Sequence, residues 1–156
     1  VNSAICHKSA SLPNREKHMT DPFHLAIPSM DLDESRRFYG ELLGCEEGRS
    51  AERWVDFNFF GHQLSIHLAP AQCDQEGTNA VDGDKVPVRH FGIVLSWEDW
   101  TSMARTLEEK GVAFRIPPKV RFAGLPGEQG TLFLDDPSGN SLEFKGFRRR
   151  DSLFQT

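Results

Sequence analysis

Arg89-His90-Phe91-Gly92-Ile93-Val94-Leu95 restates, in the second half of the chain, what Phe23-His24-Leu25-Ala26-Ile27-Pro28 says in the first. Each is a short apolar run with one histidine near its start. Each leads into a helix-like segment that stops at a glycine, Gly44 in the first half and Gly111 in the second, and the two intervals differ by a single position. A strand and a helix recurring at matched spacing are the mark of an internal duplication. One imidazole on an apolar strand is ordinarily a satisfied core or edge residue. Two at equivalent positions of a repeat can converge on the axis that relates the halves, where a metal ion needs several ligands at once.

The flanking pattern extends the repeat. Phe23, Leu25 and Ile27 fall on one face of a strand, leaving His24 beside the small Ala26 on the other. Asp31-Leu32-Asp33-Glu34 opens a helix with acids in its first turn, where they favour the dipole, and Leu32, Ser35, Phe38, Tyr39, Leu42 and Leu43 keep helical spacing. Cys45 to Ser50 reads as a short edge strand. Arg53 to Phe60 and His62 to Ala69 then make a hairpin around Gly61, with Gln63, Ser65 and His67 on the face away from the core. Pro70 to Pro87 is polar and aperiodic, and is expected to be a plain connection. Val88 to Ser96 restarts the pattern, with Gly92 in the place of Ala26, so that small residues beside each histidine leave room for something other than protein. Trp97 to Gly111 is the second helix, with Trp100, Met103, Ala104 and Leu107 inward. Val112 to Ile116 is expected to be a strand broken by Pro117-Pro118, and Phe122 to Gly127 a loop. Gly130 to Leu134 and Ser141 to Phe147 are strands joined by a turn at 135–140, with Glu143 and Lys145 facing away from the core.

With 156 residues the chain suffices for one domain with a real core. Eighteen basic and 23 acidic residues leave a net charge of -5, which gives no electrostatic case for nucleic acid or an anionic membrane. No apolar run approaches the roughly 20 residues of a membrane helix. Cys6, Cys45 and Cys73 are widely spaced and odd in number, which argues for a reducing, cytoplasmic setting and against a disulfide framework or a thiolate metal site. Residues 1–18 read as a mobile leader, 19–147 as the folded domain, and 148–156 as a charged, loose tail. Within the domain, module one spans about 22–70, a linker 71–87 and module two about 88–147.

Each half therefore contributes a histidine on its first strand and a metal-competent residue on its last: His24 with His67, and His90 with Glu143. Parity sets all four on the faces away from the core. Two neutral imidazoles and a carboxylate form the facial set typical of non-haem iron(II), leaving positions open for substrate and dioxygen. With His67 added, the donors still suit iron, zinc, nickel or copper, and suit magnesium or calcium poorly. His67 has three readings: a fourth ligand, a general acid or base, or a structural residue. Arg121 and Lys145 are candidates to meet an anionic substrate, with solvated surface charge as the bland alternative. Asp56 and Asn58 either line the same hollow or border it.

The ordered set "FHLAIPSMDLDESRRFYGELLG", "RHFGIVLS" and "LFLDDPSGNSLEFKGF" resembles the vicinal oxygen chelate superfamily, which holds glyoxalase I, extradiol dioxygenases, fosfomycin-modifying enzymes and bleomycin-resistance proteins. The resemblance runs from Pro22 to about Phe147. It implies an α+β fold of two βαβββ modules whose curved sheets form a cup around a divalent metal. It implies His24, His90 and Glu143 as ligands, with His67 at the family's fourth-strand position, a departure from both the glyoxalase and the extradiol pattern. Iron(II) is the favoured ion, with zinc, nickel or manganese as alternatives. The expected function is a metal-dependent enzyme acting on a small oxygenated molecule, dioxygenase chemistry first. A glyoxalase-like lyase or isomerase comes second, and a non-catalytic ligand-binding protein third. A homodimer is the expected assembly by the same resemblance.

Overall fold

The computed structural model of the protein describes residues 21–73 and 77–154, so the leader at 1–18 lies outside the described residues. The chain builds two βαβββ modules. Module one runs β1 (His24–Ser29), α1 (Leu32–Ser35) continued by a π-helical stretch (Arg36–Leu42), β2 (Glu46–Ala51), β3 (Trp54–Phe59) and β4 (His62–Leu68). A hairpin of β5 (Thr78–Val81) and β6 (Asp84–Pro87) leads to module two: β7 (Phe91–Ser96), α2 (Trp97–Glu109), β8 (Ile116–Arg121), β9 (Gln129–Asp135) and β10 (Ser141–Phe147). The sheets have the matching orders β1-β4-β3-β2 and β7-β10-β9-β8, with one parallel pair at the start of each. The duplication read from the two histidine runs is thus an architectural repeat, and the fold class is α+β.

Local chemistry sets the helix ends. Asp31 caps α1 by accepting from the backbone N–H groups of Asp33 and Glu34, and Ser96 caps α2 by accepting from that of Asp99. Gly44 and Gly111 follow the two helices at φ 73° and 67°, the left-handed conformation that a terminating glycine takes without a Cβ penalty. Trp100 lies flat over β9 and β10, its Nε1 donating to the Phe144 carbonyl at 3.1 Å. A Cβ on Gly130 or on its cross-strand neighbour Gly146 would come within 2.7 Å of that indole, so both must be glycine.

The helix-side faces of the two sheets share one core. Ile27, Val55, Phe57, Phe59, Leu64 and Ile66 from module one join Trp100, Leu132, Leu134, Leu142 and Phe144 from module two. Phe59 stands 5.7 Å from Phe91 and 6.3 Å from Phe144, centroid to centroid. Phe60 has a positive φ of 52° in the β3–β4 turn and is held there by packing on Phe59 and Phe144. Polar residues join the modules as well: the turn at 136–140 reaches module one through Asn140 Nδ2 to the Pro28 carbonyl and Ser138 Oγ to the Met30 N–H.

Three expectations need correction. The connection at 70–87 holds the β5–β6 hairpin, whose Asp82-Gly83 turn has both φ values positive, the turn that matches strand twist. Pro117 and Pro118 lie inside β8 rather than ending a strand; β8 is an edge strand with a register shift between Ile116 and Lys119, where a missing N–H costs nothing. The tail past 147 is not wholly loose, since Arg150–Phe154 forms a 3-10 turn.

Burial pushes the Cys45 thiol up to about 11. At pH 8 a thiol reagent is therefore expected to modify the half-buried Cys73 at least about ten-fold faster than Cys45, because only the thiolate reacts. Comparable rates for the two in folded protein would contradict the packing described for Cys45.

Candidate metal centre

Glu143 sits on the helix-free face of β10, opposite Gly92 on one neighbour and Phe133 on the other. It is 7% exposed and accepts a 2.7 Å hydrogen bond from Thr131 Oγ1. His90, just ahead of β7, brings Nε2 to 3.2 Å from the other carboxylate oxygen, and Lys145 Nζ lies 3.4 Å from that oxygen. Phe133 meets the imidazole edge-on.

The tautomer of His90 follows from its second nitrogen. Nδ1 lies 2.8 Å from the Pro87 carbonyl, which can only accept, so Nδ1 carries a hydrogen and the neutral ring has its lone pair on Nε2. That lone pair faces a carboxylate oxygen. A proton on Nε2 joins the two as a hydrogen bond, and the same pair of donors has the chemistry to hold a cation. Two adjacent ligands bonded to one ion at about 2.0–2.2 Å stand roughly 3 Å apart, close to the spacing seen here. The hydrogen bond to Glu143 accordingly raises the His90 pKa from its ordinary value. Burial alone would lift Glu143, but the hydrogen bonds from His90 and Thr131, with Lys145 nearby, hold it below the usual carboxylate range.

Gly92 has a different purpose from the one its size suggests. A Cβ there would lie 1.6 Å from the Glu143 carbonyl oxygen, so the glycine admits the β10 backbone rather than a ligand. Gly92→Ala is expected to force β7 and β10 apart and cost about 2–3 kcal/mol, as overpacking does. Urea denaturation checks this; a loss under about 0.5 kcal/mol would be inconsistent with the contact.

In module one, Asp56 is the anchor. It is 6% exposed and accepts from Ser65 Oγ at 2.5 Å and from Gln63 Nε2 at 3.0 Å. With its amide nitrogen committed to Asp56, Gln63 turns Oε1 toward His24 Nδ1 at 3.0 Å. His24 therefore donates from Nδ1 and presents the Nε2 lone pair outward, as His90 does. Asn58 accepts from the Gly61 N–H and shapes the β3–β4 turn. His62 accepts from the Phe23 N–H.

The register revises the mirror relation between His67 and Glu143. Glu143 stands opposite Gly92, and the residue opposite Ala26 is Ser65; His67 stands opposite Pro28 and corresponds to Lys145. His67 is exposed, and its partner Pro28 is four residues along β1 from His24, roughly 13 Å at strand rise. One ion cannot bind both in this register.

A cleft of about 340 Å³ runs between β1 and module two, lined by Leu25 to Pro28 on one wall and by Arg89, His90 and Arg115 on the other. A second hollow, bordered by His67 and Trp54, adjoins it over Ala26, Ile27 and Pro28. Among the described residues, His90 and Glu143 meet, while no group of three His, Cys, Asp or Glu side chains converges within one chain. Arg121 is buried, 3% exposed, and pairs with Asp84. Thr131 could not be read in advance as a support because its contact depends on strand register, nor the Pro87 carbonyl because its contact depends on the turn that brings it back to His90. Gln63 and Ser65 were visible only as neighbours in parity.

Residues 22–144 match the model of the Glyoxalase/Bleomycin resistance protein/Dioxygenase superfamily. "Glyoxylase I 4" of Arabidopsis thaliana is 28% identical over 131 residues, 81% of this chain and 70% of that protein. A glyoxalase/bleomycin resistance protein/dioxygenase from Alicyclobacillus acidocaldarius superposes with a TM-score of 0.73 at 37% identity, covering 86% of this chain and 96% of that one. The fosfomycin resistance protein FosX of Listeria monocytogenes shares the fold, with a TM-score of 0.63 at 14% identity over 84% of this chain and 95% of its own. The chain belongs to the Glyoxalase/Bleomycin resistance protein/Dioxygenase superfamily.

Proposed function

We propose that the protein is a metal-dependent enzyme acting on a small oxygenated molecule, with His24, His90 and Glu143 as ligands and iron(II) as the favoured ion. The observation that carries this is the pair of opposed lone pairs on His90 Nε2 and Glu143 Oε2, each fixed from behind by Pro87 and Thr131. Two imidazoles and one carboxylate supply the facial set that leaves positions for substrate oxygens and dioxygen. His24, His90 and Glu143 would hold the ion, which would supply Lewis-acid chemistry to a substrate with neighbouring oxygens. The chain's own part is to hold its donors rigid, exclude water behind Phe133 and meet the charge of the substrate. Arg121 and Lys145 are the cations for that purpose, and Asp56 positions His24 through Gln63. His67, about 13 Å along the strand from His24, meets the far end of a substrate as an acid–base group rather than the ion.

In this reading His24 comes from a second copy of the chain. β1 and β7 each pair on one side only among the described strands, so module one of one copy has an edge to offer module two of another. A mixture of His24→Ala and Glu143→Ala chains, each unable to load iron(II) alone, is expected to recover one intact site per heterodimer. Metal analysis after mixing reads this, and no recovery would mean that His24 and Glu143 serve the same chain or no common ion.

The reaction separates by assay. Oxygen consumption by the iron(II)-loaded protein with catechols supports ring-cleaving dioxygenase chemistry. Anaerobic turnover of thiol hemithioacetals with nickel or zinc supports the glyoxalase-like alternative. Saturable binding of such ligands with neither activity, and no metal uptake, favours a sequestering protein.

A further inference from the structure

The helix-free face that carries Glu143 also carries a second, cationic group of residues. Register places Lys119 opposite Thr131, and Thr131 opposite Lys145, while Arg121 stands opposite Gln129 two residues further along β8. All of them share the face of Glu143, and Lys119 lies two strands away from β10, roughly 10 Å. Asp84, from the β5–β6 hairpin, covers this pair with a single oxygen: Oδ2 is 2.5 Å from Lys119 Nζ and 2.7 Å from Arg121 Nη2. The guanidinium is 3% exposed, and its Nε is buried with no hydrogen-bond partner among the described residues.

That geometry is under-used. A guanidinium normally meets an oxyanion with two parallel hydrogen bonds, and a buried donor without an acceptor is destabilising. Asp84 answers one Nη2 hydrogen and the lysine, and leaves the Nε hydrogen orphaned. An oxyanion with two or three free oxygens can accept from Nζ, Nη2 and Nε together. The hairpin that delivers Asp84 is a light attachment: β5 is exposed along its whole length, and β6 is held through Val86 on Ile116 and Phe133.

We infer that Lys119 and Arg121 form the oxyanion subsite of this face, reading a phosphate, phosphonate or carboxylate group of the substrate, and that Asp84 is its internal stand-in when no substrate is bound. The inference rests on this face being the substrate site, and it assigns the substrate an anionic group roughly 12 Å or more from its chelating end. Binding exchanges one carboxylate for another anion, so the buried cations are never left unpaired. With Asp84 displaced and the Glu143 charge met by a metal ion, the face is left with Lys119, Arg121 and Lys145 as net positive charge.

Chelator-treated protein keeps the test independent of metal uptake. Inorganic phosphate and acetate are titrated against wild type, Asp84→Asn, and Asp84→Asn combined with Lys119→Met, by calorimetry. Asp84→Asn is expected to bind phosphate at least ten-fold more tightly than wild type, and the double variant to lose that gain. A gain with phosphate alone points to a tetrahedral group; a gain with acetate alone points to a carboxylate. Because Asp84→Asn could weaken the fold, wild type is also followed by the 15N–1H resonance of Arg121 Nε, which shifts on adding the anion if the orphaned donor is engaged. Equal affinity in all three proteins, with an unmoved Nε resonance, would overturn the inference. Failure of metal loading would leave these readings untouched.

Discussion

Glu143→Ala is expected to lower iron(II) or zinc affinity on the order of 100-fold or more while leaving the protein folded. In the proposed site the carboxylate is the one anionic donor, and the two imidazoles that remain without it hold a divalent ion weakly. Calorimetric titration of protein stripped with chelator measures the loss, and circular dichroism checks the fold. Thr131→Val removes the hydrogen bond that fixes the other carboxylate oxygen, and it should cost about ten-fold in affinity through loss of orientation alone. Wild-type affinity in Glu143→Ala would remove the metal reading.

The pH dependence of metal uptake has a definite sign. Because Glu143 raises the His90 pKa above its ordinary 6.5, the imidazole keeps its proton further toward neutral pH, and that proton must leave before the ion enters. Affinity should therefore fall steadily as pH drops through the raised value. Metal-free stability runs the other way. His90 contributes fully below its ordinary 6.5 and loses the contribution as pH rises through its folded value; Glu143 contributes above its ordinary 4.5 and loses it as pH falls through its lowered one. The stability gap between wild type and Glu143→Gln in metal-free protein should thus be widest between about pH 4.5 and 6.5.

What could be read in advance follows the reach of each signal. The repeated strand and helix were legible because strand alternation, helical spacing, N-caps and terminal glycines are local, and each half repeats them. Glu143 and His90 were legible as partners because a carboxylate and an imidazole on the polar faces of neighbouring strands have few bland uses together. The equivalence of His67 with Glu143 was not sound, since parity fixes the face of a strand but not the register. A slip of two residues keeps the face and moves the side chain about 7 Å. Gly92 and the prolines of β8 misled for related reasons. Smallness beside a histidine looks like room for a ligand until the β10 backbone occupies the space, and a proline pair stops an inner strand but is tolerated on an edge. The Asp82-Gly83 turn was a local signal that polar composition around it concealed.

The turn Asp136-Pro137-Ser138-Gly139-Asn140 raised the family resemblance, and the structure supplies its physical basis. Tyr39, fully buried in module one, donates its hydroxyl to Asp136 Oδ2 at 2.9 Å. The same carboxylate accepts from the backbone of Ser138 and of Asn140 and from Asn140 Nδ2, while Asn140 and Ser138 go on to bond Pro28, Met30 and Ser29. Burial raises the Asp136 pKa above the ordinary carboxyl value, against these hydrogen bonds, so the group is sustained by its donors rather than by water. Asp136→Ala orphans the Tyr39 hydroxyl and two backbone N–H groups at once, each worth about 1–3 kcal/mol when buried. The expected loss is about 3–5 kcal/mol, large against the roughly 5–15 kcal/mol that holds a domain together. Tyr39→Phe removes one donor from a carboxylate that keeps three others, and should cost only about 1–2 kcal/mol. Combined, the two substitutions should cost less than their sum, because the phenylalanine no longer needs the acceptor that alanine lacks. Urea unfolding of the four proteins measures that coupling. Strict additivity, or a loss under about 1 kcal/mol for Asp136→Ala, would mean that the apolar core alone joins the two modules.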